Sequence, residues 1–255
     1  MRLFAYGCGR QDPFLSDSIT LEAWLIELYV TTVKLEKQTA RRGEPKRRYD
    51  DACGTAHALE LIGERWALLV LRELLLGPRR FSSLRADLPA ISANVLTQRL
   101  TELESRGLVR RRKLPPPASV QVYEATEWGL ETAPLIREMG RWAARSPGHD
   151  PTLPLSGVSI MLSFTAMLDA ERAKGFAGTV AFRFGEMVYV ARVASGAIEI
   201  RRGAAEEGAA LISGEPTEVA AVAYGGAALD LLQIEGDRKL AKRFLSLFTL
   251  PPKAS

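Results

Sequence analysis

The sequence predicts an α+β fold in two parts, and three observations predict it. Residues 56–105 carry apolar side chains at helical spacing in four short runs. A basic hairpin follows over 108–125, completing the layout of a winged helix-turn-helix, mostly α with a β wing. After a break rich in proline and glycine, alternating segments over 179–201 predict an antiparallel sheet with helices, a sandwich-like α/β part. The expected divisions are 1–48 for an N-terminal extension, 49–146 for the winged part, 147–156 for a linker and 157–250 for the second part.

Charge supports this division. Lys and Arg stand against Asp and Glu as 2 to 4 in Met1–Thr32, 21 to 14 in Val33–Ser146 and 11 to 12 in Pro147–Ser255. The basic excess therefore falls on the winged part, as counterion release from a phosphate backbone requires. No run of 18 apolar residues is present, so no membrane-spanning helix and no membrane partner is expected. Two cysteines, Cys8 and Cys53, make no disulfide framework, and the cytoplasm is the expected compartment.

In the first 48 residues, Leu21, Trp24, Leu25, Leu28 and Tyr29 fall at helical spacing, and Lys34–Arg48 is a basic arm. Translation starting at Val33 is the competing reading, and no function is placed on Met1–Thr32. Ala56–Ile62 and Arg65–Leu76 are then expected as helices, with Leu59, Ile62, Trp66, Leu69, Val70 and Leu74 as the inner face. Gly77-Pro78 ends the second of them. Phe81–Asp87 is a third helix, Leu88–Ile91 a turn, and Ser92 the N-cap of a fourth helix over Ala93–Ser105. On that helix Leu96, Leu100 and Leu103 share one side, while Asn94, Thr97, Gln98 and Thr101 share the other.

Such an uncharged polar face suits the major groove. Asn and Gln can pair with adenine edges, and hydroxyls can serve bases or phosphates. On an isolated helix these residues would simply be solvated, but the preceding helix, the turn and the following hairpin favour groove contact. Asn94, Thr97 and Gln98 are therefore expected to read bases. Arg80, Ser82, Ser92 and the strand Arg110, Arg111, Arg112, Lys113 are expected to meet phosphates. Successive strand residues alternate faces, so about half of those four cations can reach one backbone. Arg99 is open between an ion pair within the protein and a phosphate contact. Pro115-Pro116-Pro117 stiffens the hairpin tip, and Glu127–Arg145 is expected as one amphipathic helix carrying Leu130, Leu135, Ile136, Met139 and Trp142, suited to packing on a partner subunit.

The segments Ala58-Leu59-Glu60-Leu61-Ile62-Gly63-Glu64-Arg65-Trp66, Leu71-Arg72-Glu73-Leu74, Gly77-Pro78-Arg79-Arg80-Phe81 and Leu100–Val109 resemble the HxlR-type family of bacterial winged-helix regulators. The resemblance covers about Asp50 to Ala144. It implies a homodimer joined through outer helices, reading an imperfect palindrome in double-stranded DNA, more often as a repressor, under control by effectors or electrophiles. In several relatives an early cysteine senses oxidants, and Cys53 occupies a similar place. A sensor thiol needs exposure and a lowered pKa; a buried structural cysteine is the other reading. Two departures from the pattern are Gly54, where proline is common, and the longer wing ending in Glu124-Ala125-Thr126.

In the second part, a helix over Gly157–Glu171 with Ile160, Phe164, Met167 and Leu168 inward precedes strands at Thr179–Phe184, Met187–Val193 and Ala197–Arg201. A strand at Ala209–Ser213, a helix at Glu215–Tyr224, a strand at Leu229–Ile234 and a closing helix at Asp237–Phe248 complete it. With Leu211-Ile212-Ser213-Gly214-Glu215-Pro216 and Ile234-Glu235-Gly236-Asp237, this order resembles the sterol-carrier-protein domain. That resemblance implies an apolar tunnel and an apolar small-molecule effector; a filled core is the alternative.

No enzyme signature is present. His57 and His149 lack spaced ligand partners, so neither metal nor cofactor is expected. The expectation is a DNA-binding transcriptional regulator. The alternative is an apolar-ligand-binding protein whose winged helix serves protein interaction.

Overall fold

The computed structural model describes residues 49–205 and 209–254. The helix expected over 21–29 and the basic arm over 34–48 lie outside the described residues.

The first elements are α1 (Gly54–Ile62), α2 (Ala67–Leu74), α3 (Phe81–Asp87) and α4 (Ala93–Ser105). Their apolar faces meet in one core of Val70, Leu71, Leu74, Leu84, Leu88, Ile91, Leu96, Leu100 and Leu103. Leu59 and Leu69, expected inside, are instead 48% and 38% exposed. Both helices carry apolar residues on two sides, and Leu71 rather than Leu69 occupies the inner side of α2.

The wing is β1 (Val109–Lys113) and β2 (Gln121–Ala125), antiparallel with Val109 opposite Ala125 and Lys113 opposite Gln121. A backbone bridge between Arg79 and Tyr123 ties the turn before α3 to this wing. The single helix expected over 127–145 is two, α5 (Glu127–Leu130) and α6 (Ala133–Ala143). Pro134 has no N–H to continue the first helix and sits instead in the opening turn of the second. At Gly129 a Cβ would lie 2.1 Å from the Leu108 carbonyl oxygen, so only glycine lets α5 cross the strand so closely.

The rest comprises α7 (Gly157–Met167), α8 (Ala170–Ala173), β3 (Gly178–Phe184), β4 (Met187–Ala194), β5 (Ala197–Arg202), β6 (Ala210–Ser213), α9 (Pro216–Gly225), β7 (Gln233–Glu235) and α10 (Arg238–Leu245). The strand order is β5-β4-β3-β6-β7. The expected antiparallel sheet needs correction, because β6 runs parallel to β3. The chain leaves β5 at one edge and returns beside β3, so its next strand points the way β5 did. Ala210, Leu211 and Ile212 are all buried, as strands covered on both faces are. An apolar run of that length fits either direction.

The interior on one side of the sheet is filled rather than hollow. Phe164 stacks on Phe248 with ring centroids 4.2 Å apart, and Phe182 and Phe244 lie 5.6 and 6.4 Å from it. Aromatic side chains thus fill this interior, as in the filled core that is the alternative to a tunnel. A surface groove of about 380 Å³ lies elsewhere, lined by residues that include Pro151, Ala220, Ala221, Tyr224, Leu231 and Leu250.

Helix α6 serves three faces. Ile136 packs into the first core. Arg141 donates to the Ala166 carbonyl at 2.8 Å, and Ala144 just beyond the helix packs with Ala166 and Met167, so this side holds α7. Leu135, Met139 and Trp142, at i, i+4 and i+7, are 52%, 51% and 75% exposed. The stretch expected as a linker is tied down by the C-terminal tail. Lys253 Nζ donates to the carbonyls of Ala144, Ser146 and His149 at 3.2, 3.0 and 3.4 Å.

Candidate nucleic-acid interface

The site begins with the turn between α3 and α4. Leu88 and Ile91 anchor the turn in the core, leaving Pro89 and Ala90 outside. Ser92 then caps α4, its hydroxyl accepting from the Val95 amide at 3.3 Å. Capping fixes the direction in which α4 leaves the turn. Burial of Leu96, Leu100 and Leu103 rotates the opposite side outward, and Asn94, Thr97, Gln98 and Thr101 are all exposed there. Thr97 Oγ1 donates to the Ala93 carbonyl at 2.9 Å, and Gln98 Nε2 donates to Glu102 Oε1 at 3.0 Å. Both leave acceptors free: the two lone pairs of the Thr97 hydroxyl and the Gln98 carbonyl oxygen.

Arg99 resolves towards the protein. It is buried, with Nη1 2.5 Å from Glu102 and 3.4 Å from Glu64. Ser82, in the first turn of α3, and Ser92, at the N-cap of α4, are both exposed. Neither Ser82 nor Ser83 caps α3, whose N-cap position is Arg80.

The wing cations are more constrained than their run in the sequence suggests. Arg110 and Arg112 share a face and converge on Glu124 of the return strand, at 2.6 Å and 2.8 Å. Burial pushes the Glu124 carboxyl up, but hydrogen bonds and charge from Arg112 and Arg110 outweigh it and hold its pKa below the ordinary value. Arg111 turns to Glu104 of α4 at 3.3 Å. Arg80 and Lys113 are exposed without an ion pair among the described residues. So is Arg85 on α3, which the sequence analysis passed over although it lies three residues from Ser82 and shares its side. In the sequence Glu124 is only a departure from the family's wing; the strand register makes it the counter-ion of two arginines.

Cys53 is exposed at the N-cap of α1. The Thr55 and Ala56 amides at the start of α1 favour its thiolate and lower its pKa. Among the described residues no group of three His, Cys, Asp or Glu side chains is placed to hold a metal, and no helix is long and apolar enough to cross a membrane.

Comparison with known proteins bears on residues 61–150, which match the model of the HxlR-like helix-turn-helix family. The HTH-type transcriptional regulator YvaP of Bacillus subtilis strain 168 is 38% identical over 86 residues, 34% of this chain and 80% of that protein. YodB of the same organism, also an HTH-type transcriptional regulator, is 37% identical over 86 residues, 34% of this chain and 77% of its own length. A regulator of the same type from Methanothermobacter thermautotrophicus is 30% identical over 122 residues, 48% of this chain and 93% of that protein.

Proposed function

The chain belongs to the HxlR-like helix-turn-helix family of transcriptional regulators, not enzymes, and from that premise we propose that it is a cytoplasmic repressor binding an imperfect palindrome as a homodimer. The observation that carries the DNA-reading geometry is the outer face of α4. A Ser92-capped helix presents Asn94, Thr97 and Gln98 outward, with the wing arginines beyond its far end. Asn94, Thr97 and Gln98 read base edges; Arg80, Ser82, Ser92, Lys113 and the wing arginines hold phosphates. The open Leu135, Met139 and Trp142 stripe supports a dimer, because a second copy would cover it without disturbing the side of α6 that holds α7.

Two inputs are proposed. Cys53 is a thiol sensor, supported by its exposure and lowered pKa. The C-terminal part is a sterol-carrier-like module whose apolar effector uses the groove beside α9, since aromatic rings fill the interior. The division of roles at the DNA is tested by fluorescence anisotropy on a duplex selected from a random pool and on its scrambled counterpart. Gln98→Ala is expected to weaken only the selected duplex, by about 1–3 kcal/mol. Lys113→Ala is expected to weaken both alike and to lower the salt slope by about 0.9. Equal losses on both duplexes for both variants would overturn the assignment.

A further inference from the structure

Charged groups are buried where the winged part meets the C-terminal sheet, and no DNA contact uses them. Glu73 on α2 is fully buried, and its Oε1 accepts from the Ser156 hydroxyl at 2.8 Å. Ser156 is the N-cap of α7 and is itself buried. Arg202 on β5 donates from Nη1 to the Pro78 carbonyl at 2.7 Å. Tyr189 on β4 is buried and stands opposite Arg202 in the strand register. Arg79 is 6% exposed and ion-paired with Asp87 at the end of α3. Its backbone N–H and C=O both bond to Tyr123 of the wing at 2.8 Å.

Two hydrogen bonds therefore join α2 and the turn before α3 to α7 and β5. Burying such groups is costly, and apolar packing would hold two surfaces together with less penalty. What fixed donors and acceptors add is a single orientation. The second bond closes on the turn at Gly77, where φ is 112° and the Arg202 guanidinium lies 3.9 Å from where a Cβ would stand. That turn sets the direction of α3, and Arg79 carries the same constraint to the wing.

We infer that Ser156 and Arg202 are positioning residues for DNA reading, fixing α3 and the wing through Glu73, the Pro78 carbonyl and the adjoining Arg79. The C-terminal part then sets how well the reader fits its site, an inference that rests on the DNA-binding function proposed above. Ser156 is too buried to touch DNA, so any effect of changing it on sequence preference passes through the reader.

The test uses full-length Arg202→Met, Ser156→Asp and Ser156→Asn. Asp and Asn both keep the N-cap, but only Asp sets a carboxylate against Glu73. Affinity for the duplex selected by the wild type is expected to fall about tenfold in Arg202→Met and Ser156→Asp, with scrambled-duplex affinity within about twofold and Ser156→Asn near wild type. Amide exchange over residues 79–88 and 121–125 is expected to rise in the same two variants. Folded variants with an unchanged ratio of selected to scrambled affinity would overturn the inference. If Arg202→Met does not fold, the Ser156 pair decides. If the wild type selects no duplex, the DNA reading fails on its own, and unchanged exchange over 79–88 in Ser156→Asp would then overturn the coupling separately.

Discussion

Replacing Glu124 by Gln tests whether the wing's positive charge is held in check from within. Arg110 Nε lies 2.6 Å from Glu124 Oε1, and Arg112 Nε lies 3.0 Å from Oε2. The three side chains together carry one net positive charge, which the substitution raises to two. Each added phosphate neutralisation steepens the dependence of log K on log salt by about 0.9. Over a fourfold change in salt, from about 200 to about 50 mM, the variant should therefore gain about 3.5-fold over wild type. Because this gain is sequence-independent, it should appear equally on selected and scrambled duplexes and reduce discrimination only through background binding. Anisotropy titrations at four or more salt concentrations read the slope directly. An unchanged or shallower slope would show that Arg110 and Arg112 do not reach phosphates when released, and the wing's assigned role would fall. The lowered Glu124 pKa adds a pH arm. A carboxyl depressed in the folded state stabilises it above the ordinary value of 4.5, and that stability is lost as pH falls through the lower folded value. The low-pH loss in wild-type stability should therefore be smaller in Glu124→Gln, as followed by denaturant midpoints.

Other substitutions probe other links. Gly129→Ala should destabilise the protein by about 1–3 kcal/mol, because its Cβ meets the Leu108 carbonyl; urea unfolding measures this, and a neutral effect would contradict the close crossing. Ser92→Ala should cost about 1 kcal/mol in stability, and should weaken selected-duplex binding more than scrambled, since the cap also aims α4. Met139→Lys places a charge in the open α6 stripe and should shift the chain from dimer to monomer in sedimentation velocity; a dimer that persists unchanged would place the subunit contact elsewhere. Cys53→Ser should abolish any loss of DNA binding caused by a thiol oxidant, and a wild-type protein indifferent to diamide would remove the sensor reading.

Much of the reader was legible in the sequence because its signals are local. The bounds of α3 and α4, the Ser92 cap and the outward Asn94, Thr97 and Gln98 follow from periodicity and one hydroxyl. The same holds for strands β3 to β5, whose alternation and Ser195-Gly196 turn lie within a short stretch. The break between α5 and α6 was also local, marked by Gly129 and Pro134, but the apolar spacing across it looked continuous. What periodicity could not supply was partnership at a distance. Glu73 looks like an ordinary exposed helix residue paired with its neighbour Arg72, until Ser156, 83 positions later, supplies a second, buried donor. The parallel pairing of β6 with β3 depends on where the chain goes after β5, not on the four residues of the strand. The run of four wing cations likewise hides its counter-ions, since Glu104 and Glu124 sit on other elements.

If α4 and the wing read DNA as proposed, the full chain selects a particular sequence. Fluorescence anisotropy of the full chain on duplex from upstream of its own gene, against a shuffled duplex across a salt series, tests it most directly. Tighter binding to the native duplex is expected, weakening steeply with salt on both. Equal, weak and salt-insensitive binding to the two duplexes would contradict it and turn attention to the apolar groove beside α9.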